Sequence, residues 1–133
     1  MRRLVIGDIH GRVEALKQCL ERSSFDFDND KLIVIGDVCD GGYNTYEVIE
    51  ELLKIKNLVF VRGNHDQWFI NSFSGAYDNI LWLDQGGNAT IKSYDTEYIP
   101  LDHQKFFNNS IPYHEEDNKL FLPEHKSLPK EMQ

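Results

Sequence analysis

Three short stretches of this chain set carboxylates, amides and imidazoles beside glycine: Gly7-Asp8-Ile9-His10-Gly11, Gly36-Asp37-Val38-Cys39-Asp40-Gly41-Gly42 and Gly63-Asn64-His65-Asp66. Such oxygen and nitrogen donors suit divalent cations. Two such ions about 3.5–4 Å apart need one bridging carboxylate and separate ligands for each. Asp37, on the middle stretch, is the natural bridge. Asp8 and His10, at i and i+2 across a turn, can both face a first ion, and the Asn64 side-chain oxygen can reach a second. His65 directly follows a candidate ligand, and neighbours in a turn rarely both bind one ion. Its better role is to give a proton to a leaving oxygen. Asp40, three residues past the bridge, can hydrogen-bond His65 and fix its tautomer and charge. Arg62, two residues before Asn64, can present its planar fork to phosphate oxygens. Together these parts suit phosphoryl transfer to water.

Any one stretch alone reads as a turn. Gly-Asp-x-His-Gly is an acceptable strand-to-helix turn in which Asp8 or His10 accepts from a helix N-terminus, and Gly-Asn-His-Asp is an ordinary turn as well. The elements around the stretches favour a site. Each ends an apolar run: Arg3 to Ile6, Leu32 to Ile35 and Leu58 to Val61. Val13, Leu16 and Leu20, with the stem of Lys17, recur at helical spacing and predict an amphipathic helix ending near Ser23-Ser24. A second helix is predicted from about Thr45 to Lys54, with Val48, Ile49, Leu52 and Leu53 on one side. Asp8 to Asp37 spans 29 residues and Asp37 to Asn64 spans 27, close to the roughly 30 residues of one βαβ unit. The pattern is β-α-β-α-β with right-handed crossovers. Ligands of open α/β sheets bind beyond the carboxyl ends of the strands, so the three tips should converge there.

Beyond Gln67 the pattern is mainly helical. Trp68, Phe69 and Ile70 open one helix, Gly75 breaks it, and a short Tyr77–Leu83 turn follows. Gly86-Gly87 starts a helix through Ala89, Ile91 and Tyr94, and Pro100 fits the first turn of another through Phe106-Phe107. Ile111 to His114 and Lys119 to Leu122, joined across the four polar residues Glu115 to Asn118, read as a β-hairpin. Residues 123–133 read as a loose tail after a domain over 1–122. Trp68 and Trp82 are expected in the core or at its rim, and His103, His114 and His125 at the surface.

At 133 residues and 41% hydrophobic content the chain makes one domain. Fourteen basic residues against 22 acidic ones give a net charge of -8, which argues against nucleic-acid binding through a basic surface. Cys19 and Cys39 form no paired framework and read as reduced cytosolic thiols. Met1-Arg2-Arg3 runs straight into a short strand, too short for a signal segment or a membrane span, so a cytoplasmic location is expected.

The three motifs resemble the signatures GD-x-HG, GD-x-x-DRG and GNHE of the calcineurin-like metallophosphoesterases, and within them the bacterial and phage branch of the Ser/Thr phosphoprotein phosphatases. The stretch from Trp82 through Gln85-Gly86-Gly87-Asn88-Ala89-Thr90 is similar to that branch too. The resemblance covers residues 1 to 122. It implies an α/β fold, a partial α/β/β/α sandwich made of an N-terminal βαβαβ half, a helical segment and a hairpin. It implies two divalent metal ions, manganese favoured and iron or zinc as alternatives, one held by Asp8, His10 and Asp37 and the other by Asp37 and Asn64. His65 is implied as the acid, Asp40 as its partner and Arg62 as the phosphate contact.

The implied substrate is a phosphorylated protein or small phosphoester, with symmetrical dinucleoside tetraphosphate hydrolysis as the alternative. Two departures stand out. Gly41 replaces the arginine of DRG, which leaves one phosphate-holding cation absent, whereas Asp66 for glutamate is mild. The family's later histidine-bearing metal motifs have no match, so the chain reads as the N-terminal portion of such a protein. A third reading is therefore a catalytically impaired metal-binding fragment, its sheet face partly uncovered and prone to self-association.

Overall fold

A computed structural model describes residues 1–73, 80–94 and 98–123. The expected break at Gly75, His125 and the tail beyond Pro123 lie outside the described residues. Three runs rich in Val, Ile and Leu form β1 (Arg3–Ile6), β2 (Lys31–Ile35) and β3 (Asn57–Val61), residue types that fit a pleated, buried surface. They pair in parallel in the order β1-β2-β3, with Leu4 opposite Leu32 and Val34 opposite Phe60. The crossovers are α1 (Val13–Arg22), burying Val13, Leu16 and Leu20, and α2 (Thr45–Leu52), burying Val48, Ile49 and Leu52. Both helices present the predicted apolar stripe except at Leu53, which is 42% exposed because α2 ends at Leu52, short of the expected Lys54.

Alternation along the strands divides the sheet. Leu32, Val34 and Phe60 belong to the main core, and Leu4, Ile6 and Leu58 pack against it. Each fully buried side chain of this kind contributes roughly 1.5–3 kcal/mol. On the other face Ile33 and Val61 are fully buried, while Val5 is 47% exposed. That face is thus open at β1 and covered at the middle of β2.

Helix α3 (Asn64–Ser72) begins at Asn64, four residues before the expected Trp68 start. The Asp66 carboxylate accepts from the Gly63 N–H at 2.7 Å, a first-turn cap that starts the helix at the loop tip. A short helical turn α4 (Ile80–Trp82) leads through a kink at Gly86, φ 109°, into α5 (Asn88–Ser93). Pro100 stands just before α6 (Leu101–Asn108). Phe69 stacks on Trp82 and meets Phe107 edge-on, with ring centroids 5.8 and 4.9 Å apart. Trp82 and Phe107 are fully buried and Trp68 partly so, as expected of core and rim residues.

The hairpin departs from expectation in two ways. Ile111 forms a parallel bridge to Val61, its N–H donating to the Phe60 carbonyl at 3.0 Å and its carbonyl accepting from the Arg62 N–H at 2.7 Å. It extends the main sheet and does not belong to the hairpin. The hairpin itself is β4 (His114–Glu116) and β5 (Lys119–Phe121), joined by two residues rather than four. Asp117 and Asn118 both have positive φ, 52° and 61°, the backbone a two-residue turn of matching twist requires.

His103 is not at the surface. It is 1% exposed, because Tyr94 OH at 2.7 Å and Glu50 Oε2 at 3.1 Å engage both ring nitrogens. His114 is half-buried beside Glu116. Both cysteines are free. Among the described residues no helix is long and apolar enough to cross a membrane.

Glu116 docks the hairpin on the sheet, accepting from Arg3 Nη1 and Lys31 Nζ, each at 2.6 Å, and facing His114 Nε2 at 3.1 Å. The Lys31 bond, then those of Arg3 and His114, hold its carboxyl down at about 2. A depressed folded-state pKa means stability present above the ordinary glutamate range and lost as pH falls through about 2. Glu116→Gln is therefore expected to lower the Tm at pH 7, with the gap to wild type closing as pH falls from about 4.5 toward 2. Thermal melts across that range check it.

Candidate metal centre

The parallel pairing of β1 and β2 continues beyond the strands. Asp8 N–H reaches Gly36 O at 3.3 Å, His10 N–H reaches Asp37 O at 3.0 Å and Gly11 N–H reaches Val38 O at 2.7 Å. These bonds hold the first two loop tips in step, so residues far apart in sequence become neighbours. Asp8, His10, Asp37 and Asp40 all have positive φ, at 52°, 47°, 57° and 72°. Side chains seldom adopt that region, and Asp and His do so more readily than most. Strain of roughly 1–3 kcal/mol for such a residue persists only where the surroundings enforce it, and it clusters at functional sites. Gly63 and Gly42 are among the glycines that close approach requires. A Cβ at Gly63 would collide with the Asp37 carboxylate, and one at Gly42 would stand 2.6 Å from His10 O.

Asp8, His10 and Asp37 each offer one ligand atom, all within 4.8 Å of one another. His10 Nδ1 lies 3.0 Å from the Cys39 carbonyl; a carbonyl can only accept, so the proton sits on Nδ1 and the Nε2 lone pair is free. Nε2 is 4.0 Å from Asp8 Oδ1. Two carboxylates and a free imidazole nitrogen fit a first-row dication. Asn64 is exposed as the first residue of α3, directly after the glycine that abuts Asp37. Glu50, Asp102 and His103 form a second close group, but both His103 nitrogens are already engaged.

His65 stands beside this cluster. Its backbone N–H donates to Asp37 Oδ1 at 3.1 Å, and its ring meets His10 edge-on with centroids 5.2 Å apart. Its Nδ1 lies 2.8 Å from Asp40 Oδ2. That hydrogen bond raises the His65 pKa, with partial burial opposing it and the charges of Asp40, Asp37 and Asp66 adding to it. The imidazole therefore stays protonated to higher pH than a free one. Asp40 is buried and fully occupied: Trp82 Nε1 donates to Oδ2 at 2.6 Å and Thr90 Oγ1 to Oδ1 at 2.5 Å, while its own N–H donates to Thr90 Oγ1 at 2.8 Å. Asp40→Asn leaves an acceptor oxygen but removes the negative charge that strengthens this bond and favours the imidazolium. His65 is then expected to titrate closer to 6.5, as NMR of its ring signals against pH would show.

Asp66 ties the second loop to the third. Oδ2 accepts from Asp37 N–H and Gly63 N–H, each at 2.7 Å, and Oδ1 accepts from Val38 N–H at 3.0 Å and Cys39 Sγ at 3.7 Å. Burial pushes its carboxyl up to about 6, with the three N–H bonds opposing that rise. Burial also pushes the Cys39 thiol well up, so this cysteine is a packing group and not a nucleophile.

The structure thus gathers Asp8, His10, Asp37, His65 and Asp40. Arg62 is differently placed: Nε donates to Ser110 Oγ at 2.8 Å, Nη1 to Gln67 Oε1 at 2.9 Å, and Nη2 to Ser110 O at 3.1 Å and Asn108 O at 3.5 Å. Sequence reasoning missed three supporting residues, Trp82, Thr90 and Asp66. Asp66 had a signal, since an acid three residues after a turn glycine marks a helix cap. Trp82 had a weaker one, an indole N–H that must find an acceptor when buried.

The family model for calcineurin-like phosphoesterases matches residues 1–131, and the chain belongs to that family. It is 34% identical over 84 residues to serine/threonine-protein phosphatase 1 of Salmonella typhimurium, covering 63% of this chain and 38% of that protein. It is 40% identical over 75 residues to a symmetrical bis(5'-nucleosyl)-tetraphosphatase of Buchnera aphidicola, covering 56% of this chain and 27% of that protein. A crystal structure of a metallophosphoesterase from Sphaerobacter thermophilus shares the fold, with a TM-score of 0.62 at 21% identity over 87% of this chain and 43% of that one. The chain therefore spans about two fifths or less of the curated relatives it matches. Its sheet, helices and hairpin form part of the family's α/β sandwich.

Proposed function

We propose that this chain is a metal-dependent phosphoesterase acting on phosphate monoesters of the kind Ser/Thr phosphatases hydrolyse. The observation that carries the reading is the meeting of Asp8, His10 and Asp37 beside the His65–Asp40 pair. In this reading Asp8, His10 and Asp37 hold one divalent ion, and Asp37 with Asn64 contributes to a second. When bound, such ions supply Lewis-acid polarisation of the phosphoryl oxygens and activation of the attacking water. Manganese is the ion favoured, with iron or zinc as alternatives. Water attacks phosphorus as the bond to the leaving oxygen breaks, and protonated His65 gives that oxygen its proton. Asp40 keeps the imidazole oriented and charged. Arg62 reaches a phosphate only by exchanging bonds it makes to Ser110, Gln67 and Asn108. The expected setting is the cytoplasm.

Phosphate release from p-nitrophenyl phosphate with Mn²⁺ tests the proposal. His65→Asn is expected to lower the rate by about 10²–10⁴-fold while Mn²⁺ binding persists. Equal rates in the two proteins would remove His65 as the acid.

A second reading, hydrolysis of a symmetrical dinucleoside tetraphosphate, draws support from the Buchnera relative and from glycine at position 41. Side-by-side turnover of a phosphopeptide and a dinucleoside tetraphosphate separates the two. Mn²⁺ binding without turnover of either substrate would favour the third reading, an impaired metal-binding fragment. The 47% exposure of Val5 on the open sheet face supports self-association, which sedimentation would read directly.

A further inference from the structure

Only two basic residues lie within or directly beside the three loop tips, Arg12 and Arg62, and they stand in opposite conditions. Arg62 holds Ser110, Gln67 and Asn108. Arg12, placed between Gly11 and the start of α1, is exposed, and its guanidinium makes no hydrogen bond or ion pair among the described residues. Its position is specific all the same. Nη2 lies 4.0 Å from the point where a Cβ on Gly41 would stand, and that point is 3.7 Å from His10 Cβ and 3.9 Å from His10 O. The guanidinium and His10 therefore flank one gap, and the missing side chain at Gly41 keeps it open.

Electrostatics make this placement unusual. A cation at a helix N-terminus faces the positive end of the helix dipole, so Arg12 sits where α1 disfavours its charge. Asp8 and Asp37 lie in one close group with His10, Asp40 directly precedes Gly41, and the chain carries a net charge of -8. A dianionic phosphoryl group entering such a site needs positive charge from the protein as well as from bound ions. A planar guanidinium matches two phosphoryl oxygens at once, and among the described residues this one has its donors free. We infer that Arg12 grips the phosphoryl oxygens of the substrate at the metal centre, the open space over Gly41 giving its guanidinium access. This rests on the phosphoesterase reading above and assigns the phosphate contact within it to Arg12.

The test titrates the whole chain, with Mn²⁺ present, with inorganic phosphate in a calorimeter. Arg12→Gln is expected to weaken the phosphate Kd by about tenfold or more, and Arg12→Lys by less, because a charged fork contact loses its bidentate part first and its charge second. Mn²⁺ titrations should match wild type in both variants. The Tm of Arg12→Gln should be equal or higher, since it removes a cation from the N-terminus of α1. Phosphate binding unchanged in Arg12→Gln overturns the assignment and leaves the phosphoesterase reading standing. Loss of Mn²⁺ binding together with phosphate binding also overturns it, because Arg12 would then be supporting the loops. Mn²⁺ binding by wild type with no phosphate binding removes the phosphoesterase reading, and this inference with it.

Discussion

Asp66→Ala is expected to melt well below wild type and to lose its response to Mn²⁺. The carboxylate is buried and satisfies three backbone N–H groups, those of Gly63, Asp37 and Val38. Each donor left buried without a partner costs about 1–3 kcal/mol. Two effects oppose each other, because burial of the charge already pushes this carboxyl up to about 6, and deleting it removes that unfavourable burial. The orphaned donors win, since a cavity replaces the carboxylate and no side chain takes its bonds. The net loss is roughly 2–4 kcal/mol, against a total stability of 5–15 kcal/mol for a typical domain. That corresponds to a Tm lowered by about 6–15 °C. Asp37 takes its position from the same bonds, so metal binding should fall with stability. A melting curve like that of wild type would show that the clamp between the second and third loops holds without Asp66.

Asp37→Asn should separate what Asp66→Ala joins. Asparagine keeps the shape, tolerates the left-handed φ of 57° at this position, and retains an oxygen for the His65 N–H. Only the negative charge is removed. In the metal-free chain that charge faces Asp8 within one close group, so its loss relieves repulsion, and the variant should melt no lower than wild type. On the proposed reading metal binding should suffer most, because Asp37 would then serve both ions. The affinity for Mn²⁺ is expected to fall by at least about 100-fold, beyond what loss of a supporting contact alone costs. Thermal shift with and without Mn²⁺ reads both effects in one experiment. A lowered Tm with Mn²⁺ affinity intact would reverse the assignment of Asp37 from ligand to structural residue.

The contrast between these residues shows what the sequence discloses. The proximity of Asp8, His10, Asp37, Asp40 and His65 is legible because a repeated βαβ unit sets equivalent loops side by side, so spacing along the chain becomes proximity in space. The two crossover helices were legible because their buried positions recur at helical spacing. Asp66 was read as a mild replacement at the end of a motif, and its clamp on the neighbouring loop depends on a contact across 28 and 29 residues that no local pattern encodes. Trp82 and Thr90 reach Asp40 from 42 and 50 residues away, and the kink at Gly86 that lets them do so follows from left-handed backbone at one glycine. His103 looked like a surface histidine because its neighbours in sequence are polar, whereas its burial comes from Tyr94 and Glu50 on other elements. The hairpin turn was read as four residues because all four are polar. Positive φ at Asp117 and Asn118 shortens it to two.

The proposed chemistry requires Asp8, His10 and Asp37 to share a divalent ion at the ends of β1 and β2. Crystals soaked in Mn²⁺ and measured at the manganese absorption edge test this directly. An anomalous peak is expected about 2.0–2.3 Å from a carboxylate oxygen of Asp8, from His10 Nε2 and from a carboxylate oxygen of Asp37. Saturating Mn²⁺ with no peak at those three atoms, or with the peak at Glu50, Asp102 and His103 instead, would contradict it.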